Sequence, residues 1–213
     1  MGAEPDYINS NFISKNGVIH TVTNMMHAHT PELSNKTFNI AMLPEFNEMR
    51  SIAKNKGGDE SFIVFPYSSD MVERLNWITD DGTVTHYIKD LNGGSNANNG
   101  GNNLIVFNGL FTTEYTTNKI LKGNYKIKIK VGDKSDKNAI IQCYIDGIKL
   151  GIEHDWGKND RTSDPTLFNL QANGSNNFFV GEIEFEETST HKFKIEAYLP
   201  GEMQWCSLVF VPN

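Results

Sequence analysis

The stretch Tyr125-Lys126-Ile127-Lys128-Ile129-Lys130-Val131 alternates apolar and basic side chains without a break. A period of two belongs to an extended strand, whose successive side chains point to opposite faces. On a helix the same residues would spread charge around the whole circumference. The segment therefore predicts a strand with one face in a core and the other in water.

The same signature recurs along the chain. Residues 139–145 read as a strand, closed by the hairpin dipeptide Asp146-Gly147 and followed by a return through residues 148–151. Phe179, Ile183 and Phe185 alternate with Glu182, Glu184 and Glu186. After Thr188-Ser189-Thr190, Phe193, Ile195, Ala197 and Leu199 alternate with Lys192, Lys194 and Glu196. A short connection predicts a hairpin here, with Phe185 opposite Phe193 and Glu186 and Glu184 opposite Lys192 and Lys194, a pairing of opposite charges across strands. The last strand runs over residues 204–211 and ends at Pro212. Earlier strands are predicted over 62–65, 75–79, 83–88 and 104–110, with Asp81-Gly82 as a hairpin turn between the second and third. Many short strands joined by Gly, Asn and Asp turns predict an all-β chain, an antiparallel β-sandwich or jelly roll with a short mixed N-terminal segment.

Three zones organise the chain. Residues 1–29 hold the strand-like Gly17-Val18-Ile19-His20-Thr21-Val22 after the turn signal Asn16-Gly17. Residues 30–60 read as a connector with a short helical piece within 45–53, and residues 61–213 as the sandwich. The run from Asn92 to Asn103, built of Asn, Gly, Ser and Ala, is a low-complexity loop. A formal net charge of −7 argues against nucleic acid as a partner, which would demand a clustered excess of Lys and Arg. No apolar run approaches the ~20 residues that span a bilayer, and the first residues lack a signal-peptide pattern.

Catalysis has little support. There is no Gly-x-Ser-x-Gly elbow, and acidic pairs such as Glu153/Asp155 or Asp80/Asp81 sit where solvated turns are the ordinary reading. Cys143 and Cys206 both fall in strands and read as small buried hydrophobes, a disulfide requiring neighbouring strands. His27-Ala28-His29 offers too few ligands for a metal. The segment from Glu153 to Asp164 is richer in oxygen donors. Glu153, Asp155 and Asp160 are its candidate ligands for a structural calcium ion, although the spacing of an EF-hand is missing; no other cofactor is expected. Carbohydrate binding calls for exposed aromatic faces beside amides and charges. Trp156, in a polar loop, is the leading candidate, with Asp155 and Arg161 as hydrogen-bonding partners and Tyr87 and Trp77 as further aromatics. Tyr115 reads as a rim residue in a Thr-rich stretch, and Trp205 as structural.

Two resemblances add to this reading. Asn16-Gly17-Val18-Ile19-His20 resembles the start of the last strand of fasciclin domains, a match confined to about residues 8–26. Leu121-Lys122-Gly123-Asn124-Tyr125-Lys126, Tyr144-Ile145-Asp146-Gly147, Gly181-Glu182-Ile183-Glu184-Phe185, Thr190-His191-Lys192-Phe193 and Leu208-Val209-Phe210-Val211-Pro212 resemble a galactose-binding-like jelly roll. Such modules follow fasciclin domains in bacterial surface lipoproteins. The resemblance implies an outer-surface or periplasmic location, a lipid anchor on a longer parent protein, and adhesion or glycan capture without catalysis. The expectation is a carbohydrate-binding module; its rival is a structural domain that contacts a surface protein and has no small-molecule site. An orphan N-terminal strand also predicts exchange onto a neighbouring edge.

Overall fold

A computed structural model describes residues 12–14, 17–19, 31–46, 61–65, 72–80, 84–88, 104–131, 139–155, 169–170 and 176–213. The chain divides into two units, residues 1–32 and 33–213. The first contains an antiparallel hairpin of β1 (Phe12–Ser14) and β2 (Gly17–Ile19), with Phe12 paired to Ile19.

The second unit begins with β3 (Lys36–Asn39) and two short 3-10 turns, Ile40–Met42 and Pro44–Phe46. The helical piece expected within residues 45–53 is present only as the end of the second turn; residues 47–53 lie outside the described ones. The strands that follow are β4 (Ser61–Phe65), β5 (Leu75–Thr79), β6 (Val84–Ile88), β7 (Leu104–Gly109), β8 (Phe111–Thr116), β9 (Gly123–Val131), β10 (Ile140–Ile145), β11 (Ile148–Asp155), β12 (Asn169–Leu170), β13 (Asn176–Phe185), β14 (Lys192–Leu199) and β15 (Gly201–Pro212). They form two antiparallel sheets, a β-sandwich as expected. A five-stranded sheet runs β11-β10-β14-β8-β5. An eight-stranded sheet runs β12-β13-β9-β15-β7-β6-β4, with β3 added beside the second half of β15.

The alternation in β9 does what its period dictates. Tyr125, Ile127, Ile129 and Val131 are buried, while the lysines between them face outward. They meet Trp205, Leu208 and Phe210 of β15 from the same sheet, and Phe193, Ile195, Tyr115 and Ile141 from the other. Fully burying side chains of this size contributes roughly 1.5–3 kcal/mol each.

Two expected hairpins are absent, for one physical reason. β13 lies in the eight-stranded sheet against β9, whereas β14 lies in the five-stranded sheet between β10 and β8. The connection between them crosses from sheet to sheet. Phe185 and Phe193 both enter the core, one from each sheet. Glu182 and Glu184 stand opposite Lys126 and Asn124, and Lys194 opposite Glu114 and Tyr144. Likewise β5 pairs with β8 and β6 with β4 and β7, so the segment holding Asp81-Gly82 also links two sheets. Asp146-Gly147 is a true two-residue turn: Ile145 pairs with Ile148, and the turn residues take φ of 48° and 82°, the left-handed values such a turn requires.

Tyr115 is no rim residue. It belongs to β8, where Phe111, Thr113 and Tyr115 point inward, and Thr113 Oγ1 donates to the carbonyl of Asn76. The strand escaped notice because threonine occupies an inward position. Trp205 is wholly buried, its indole N–H donating to Ser207 O at 3.2 Å. Cys143 and Cys206 are buried free thiols in different sheets, and burial pushes both pKa values up.

Candidate functional site

The outward face of the five-stranded sheet carries the most organised set of exposed chemistry among the described residues. In one register row stand Lys149, Tyr144, Lys194, Glu114 and Asn76, on β11, β10, β14, β8 and β5 respectively. The next row places Glu196 opposite Gln142 and Thr112, with Ile78 beyond Thr112 on β5. Apart from Gln142, each of these side chains is aimed outward by the alternation that sends Phe193, Ile195, Cys143 and Ile145 into the core.

Tyr198 continues the outward series of β14 and is 48% exposed. Its hydroxyl lies 2.8 Å from that of Tyr144, in the stretch where the β10–β14 ladder slips by a residue between Ile140 and Ile141. The Lys194 ammonium covers the Tyr144 ring at 4.3 Å from its centre and donates to Glu196 at 2.6 Å. These contacts shift the titration of the groups that make them. The Lys194 hydrogen bond holds the Glu196 carboxyl below the usual carboxylate range, and the bond to Tyr198 and the nearby Glu196 raise the Tyr144 phenol. Lys192 and Glu114 form a second pair at 2.9 Å, which raises the Lys192 ammonium. The face thus presents one open tyrosine ring, fixed hydroxyls and charges already matched to each other. Such a set can hydrogen-bond and stack, but a Glu196 held ionised is a poor proton donor for acid catalysis.

Beneath this face, Gln142 is fully buried and its amide donates to Cys143 O at 2.9 Å and to Leu150 O at 2.6 Å. It fills the gap where Ile141 pairs with His154 but Cys143 with Leu150, so that residues 151–153 bulge out of β11.

The expected site residues disperse. Trp156, Arg161 and Asp160 lie outside the described residues, as do the side chains of Asp155 and Tyr87, whose backbones belong to β11 and β6. Trp77 corrects the expectation of a stacking surface: it is 8% exposed, packed in the core with its ring edge-on to Phe107. Glu153 is not a loop residue but part of the β11 bulge, where its carboxylate pairs with Lys149 at 3.4 Å. Among the described residues no group of three His, Cys, Asp or Glu is placed to hold a metal ion. Tyr198 and Tyr144 were missed, although the signal was present: the parity that puts Lys194 and Glu196 outside puts Tyr198 outside as well.

A second cluster has the contact order of a hydrolytic triad. Asp146 Oδ2 lies 2.6 Å from His191 Nδ1, and His191 Nε2 lies 3.3 Å from Ser189 Oγ. Its setting is structural. The imidazole is buried and stacks on Phe185 with ring centres 3.7 Å apart. The Ser189 N–H, the natural first donor to an oxyanion, donates instead to Ile120 O. Asp146 also accepts from the Lys192 N–H at 2.8 Å, and Thr117 Oγ1 from that of His191 at 2.9 Å. The cluster ties the β10–β11 turn to the start of β14 and to the segment after β8.

No family model and no curated protein matches the chain. Solved structures similar to it include a Paenibacillus xanthan lyase (15% identity, TM-score 0.43), of which it covers 12% while 72% of this chain is covered. The insecticidal crystal protein Cry2Aa is similar at 15% identity and TM-score 0.44, with 71% of this chain and 21% of that one covered. The chain therefore spans a small part of these two proteins. It spans 99% of a family 35 carbohydrate binding module from Clostridium thermocellum, at 10% identity and TM-score 0.42, with 72% of this chain covered.

Proposed function

We propose that the sandwich is a non-catalytic carbohydrate-binding module that takes a neutral sugar chain on the outward face of the five-stranded sheet, in an extracytoplasmic protein. The observation that carries this reading is the half-open Tyr198 ring, anchored by its hydroxyl to Tyr144 at 2.8 Å. A pyranose offers an apolar C–H face and a rim of hydroxyls. An aromatic ring takes the first, and Glu196, Lys194, Tyr144 and Thr112 supply acceptors and donors for the second. Because these groups stand on strands and hold one another, little side-chain entropy remains to be lost on binding. The internal pairing Lys194–Glu196 and Lys192–Glu114 leaves no excess charge to attract an ionic ligand.

Affinity electrophoresis in gels containing β-glucan, arabinoxylan or galactan tests the reading. The wild type is expected to be retarded by at least one of them. Tyr198→Ala should weaken that retardation on the order of tenfold, the size of one lost anchor residue, with the circular dichroism spectrum unchanged. A folded protein that no neutral polysaccharide retards, or one indifferent to Tyr198→Ala, would sink the proposal. The rival reading, a protein-contact surface, draws on the exposed Ile148 and Ile152 of β11. It gains if Ile152→Ser, rather than Tyr198→Ala, changes the behaviour of the parent assembly.

A further inference from the structure

The outward face of the opposite sheet has a different electrostatic character. Lys126, Lys128 and Lys130 project from β9 at alternate positions, about 7 Å apart for successive members. Lys126 stands opposite Glu182 and Val211, and reaches the Glu182 carboxylate at 3.9 Å. Lys128 stands opposite Phe179 and Val209, and Lys130 opposite Asn177 and Ser207. Among the described residues neither Lys128 nor Lys130 has a carboxylate partner. On the five-stranded sheet, by contrast, Lys192 and Lys194 are each matched by a glutamate within 3 Å. Among the described residues the lysines of one face are thus neutralised, while two adjacent ones on the other have no carboxylate partner.

We propose that this face of β9 is a second binding surface, for an acidic polysaccharide lying along the Lys128–Lys130 end of the row. Alternate residues of a strand rise about 7 Å, within a Debye length of roughly 8 Å, so the fields of two neighbouring ammonium groups reinforce one another. Their stems are half-buried, which leaves the heads as the mobile, solvated parts. The half-buried Val209 and Phe179 flank Lys128 and offer apolar contact to sugar rings. Glu182 and Glu184, exposed on β13 opposite Lys126 and Asn124, mark the end of the surface, because they repel a polyanion. A membrane would need basic residues spread over a broad area, whereas these lie along a single strand, so the row fits a linear polyanion better than a lipid surface.

The test is affinity electrophoresis of the intact chain with polygalacturonate at about 50 and about 300 mM NaCl, a range over which screening of exposed charges rises steeply. The wild type is expected to be retarded at low salt, with retardation weakened at least several-fold at high salt. Lys128→Glu/Lys130→Glu should abolish it, and Lys128→Arg/Lys130→Arg should keep it, which separates loss of charge from loss of fold. Tyr198→Ala should leave acid binding intact, so this surface and the tyrosine face succeed or fail separately. The proposal is overturned if polygalacturonate does not retard the wild type, or if the double glutamate variant is still retarded. Loss of acid binding in Tyr198→Ala would also overturn it, as would phosphatidylserine vesicles capturing the chain with the same lysine dependence in place of polygalacturonate.

Discussion

Gly151 sits at φ +52°, and a Cβ there would meet the Val180 carbonyl oxygen at 2.6 Å. Its neighbour across the gap, Gly181, would in turn place a Cβ 3.0 Å from Leu150. The two glycines let β11 of one sheet approach β13 of the other more closely than side chains permit. Gly147, at φ +82°, has nothing within 4 Å of its would-be Cβ. Gly147→Ala therefore carries only the conformational cost, about 1–2 kcal/mol, while Gly151→Ala adds the collision and should cost about 2–5 kcal/mol in all. Urea unfolding of the two variants checks the difference; equal losses would refute the close approach. Nothing in the sequence separates Gly151 from an ordinary surface glycine, because its constraint comes from a strand about thirty residues away. Tyr198 was legible by contrast, since parity alone sets its direction. Trp77 was legible in the same way: its β5 neighbours Asn76 and Ile78 face out, which leaves the indole inside.

At the scale of the element, alternation identifies a strand and its buried face but is silent about its partner. β13 and β14 share a period and complementary charges, and a short connection made a hairpin the economical inference. The actual Glu186–His191 connection crosses between sheets, held by Ser189 against Ile120 and by His191 against Asp146 and Thr117. Two strands that each send a phenylalanine into one core satisfy the same apolar pattern from opposite walls. Charge pairing is similarly promiscuous, because every outward lysine has several strands that could offer a glutamate. A double-mutant cycle makes the distinction measurable. Glu184 and Lys194, once expected to pair, should show no coupling energy, whereas Lys192 and Glu114, 2.9 Å apart, should show a favourable one that falls with added salt. Coupling between Glu184 and Lys194 would restore the hairpin. Asp146-Gly147 succeeded as a signal where Asp81-Gly82 did not, because the first joins strands separated by those two residues alone.

For the whole molecule, the five-stranded face links binding to stability through Glu196. Its carboxyl is held below the usual range by the Lys194 hydrogen bond, against a smaller opposing effect of burial. A depressed folded-state pKa contributes stability that is fully present above the unfolded value, ~4.3 for glutamate, and is lost as pH falls through the folded value. The stability gap between wild type and Glu196→Gln should therefore be constant near neutral pH and shrink below about pH 4. Denaturant titrations at stepped pH measure it, and a gap that widens in acid contradicts the assignment. The sandwich itself was readable from period and turns, but the stacking residues proposed from the sequence lie mostly outside the described residues, and the tyrosine face became visible only once Tyr198 and Tyr144 were brought together. One consequence concerns how such a chain is made. β15 pairs with β9 along most of its length, with β7 over Gly201–Trp205 and with β3 over Ser207–Phe210, and it follows all three in sequence. During synthesis these strands emerge first and wait with open edges, since none of their β15 hydrogen bonds exists until residues 201–212 have left the ribosome. The eight-stranded sheet is therefore completed last, by the strand at its middle, and a nascent chain stalled before Gly201 would expose three sticky edges to whatever chaperone or neighbour reaches them first.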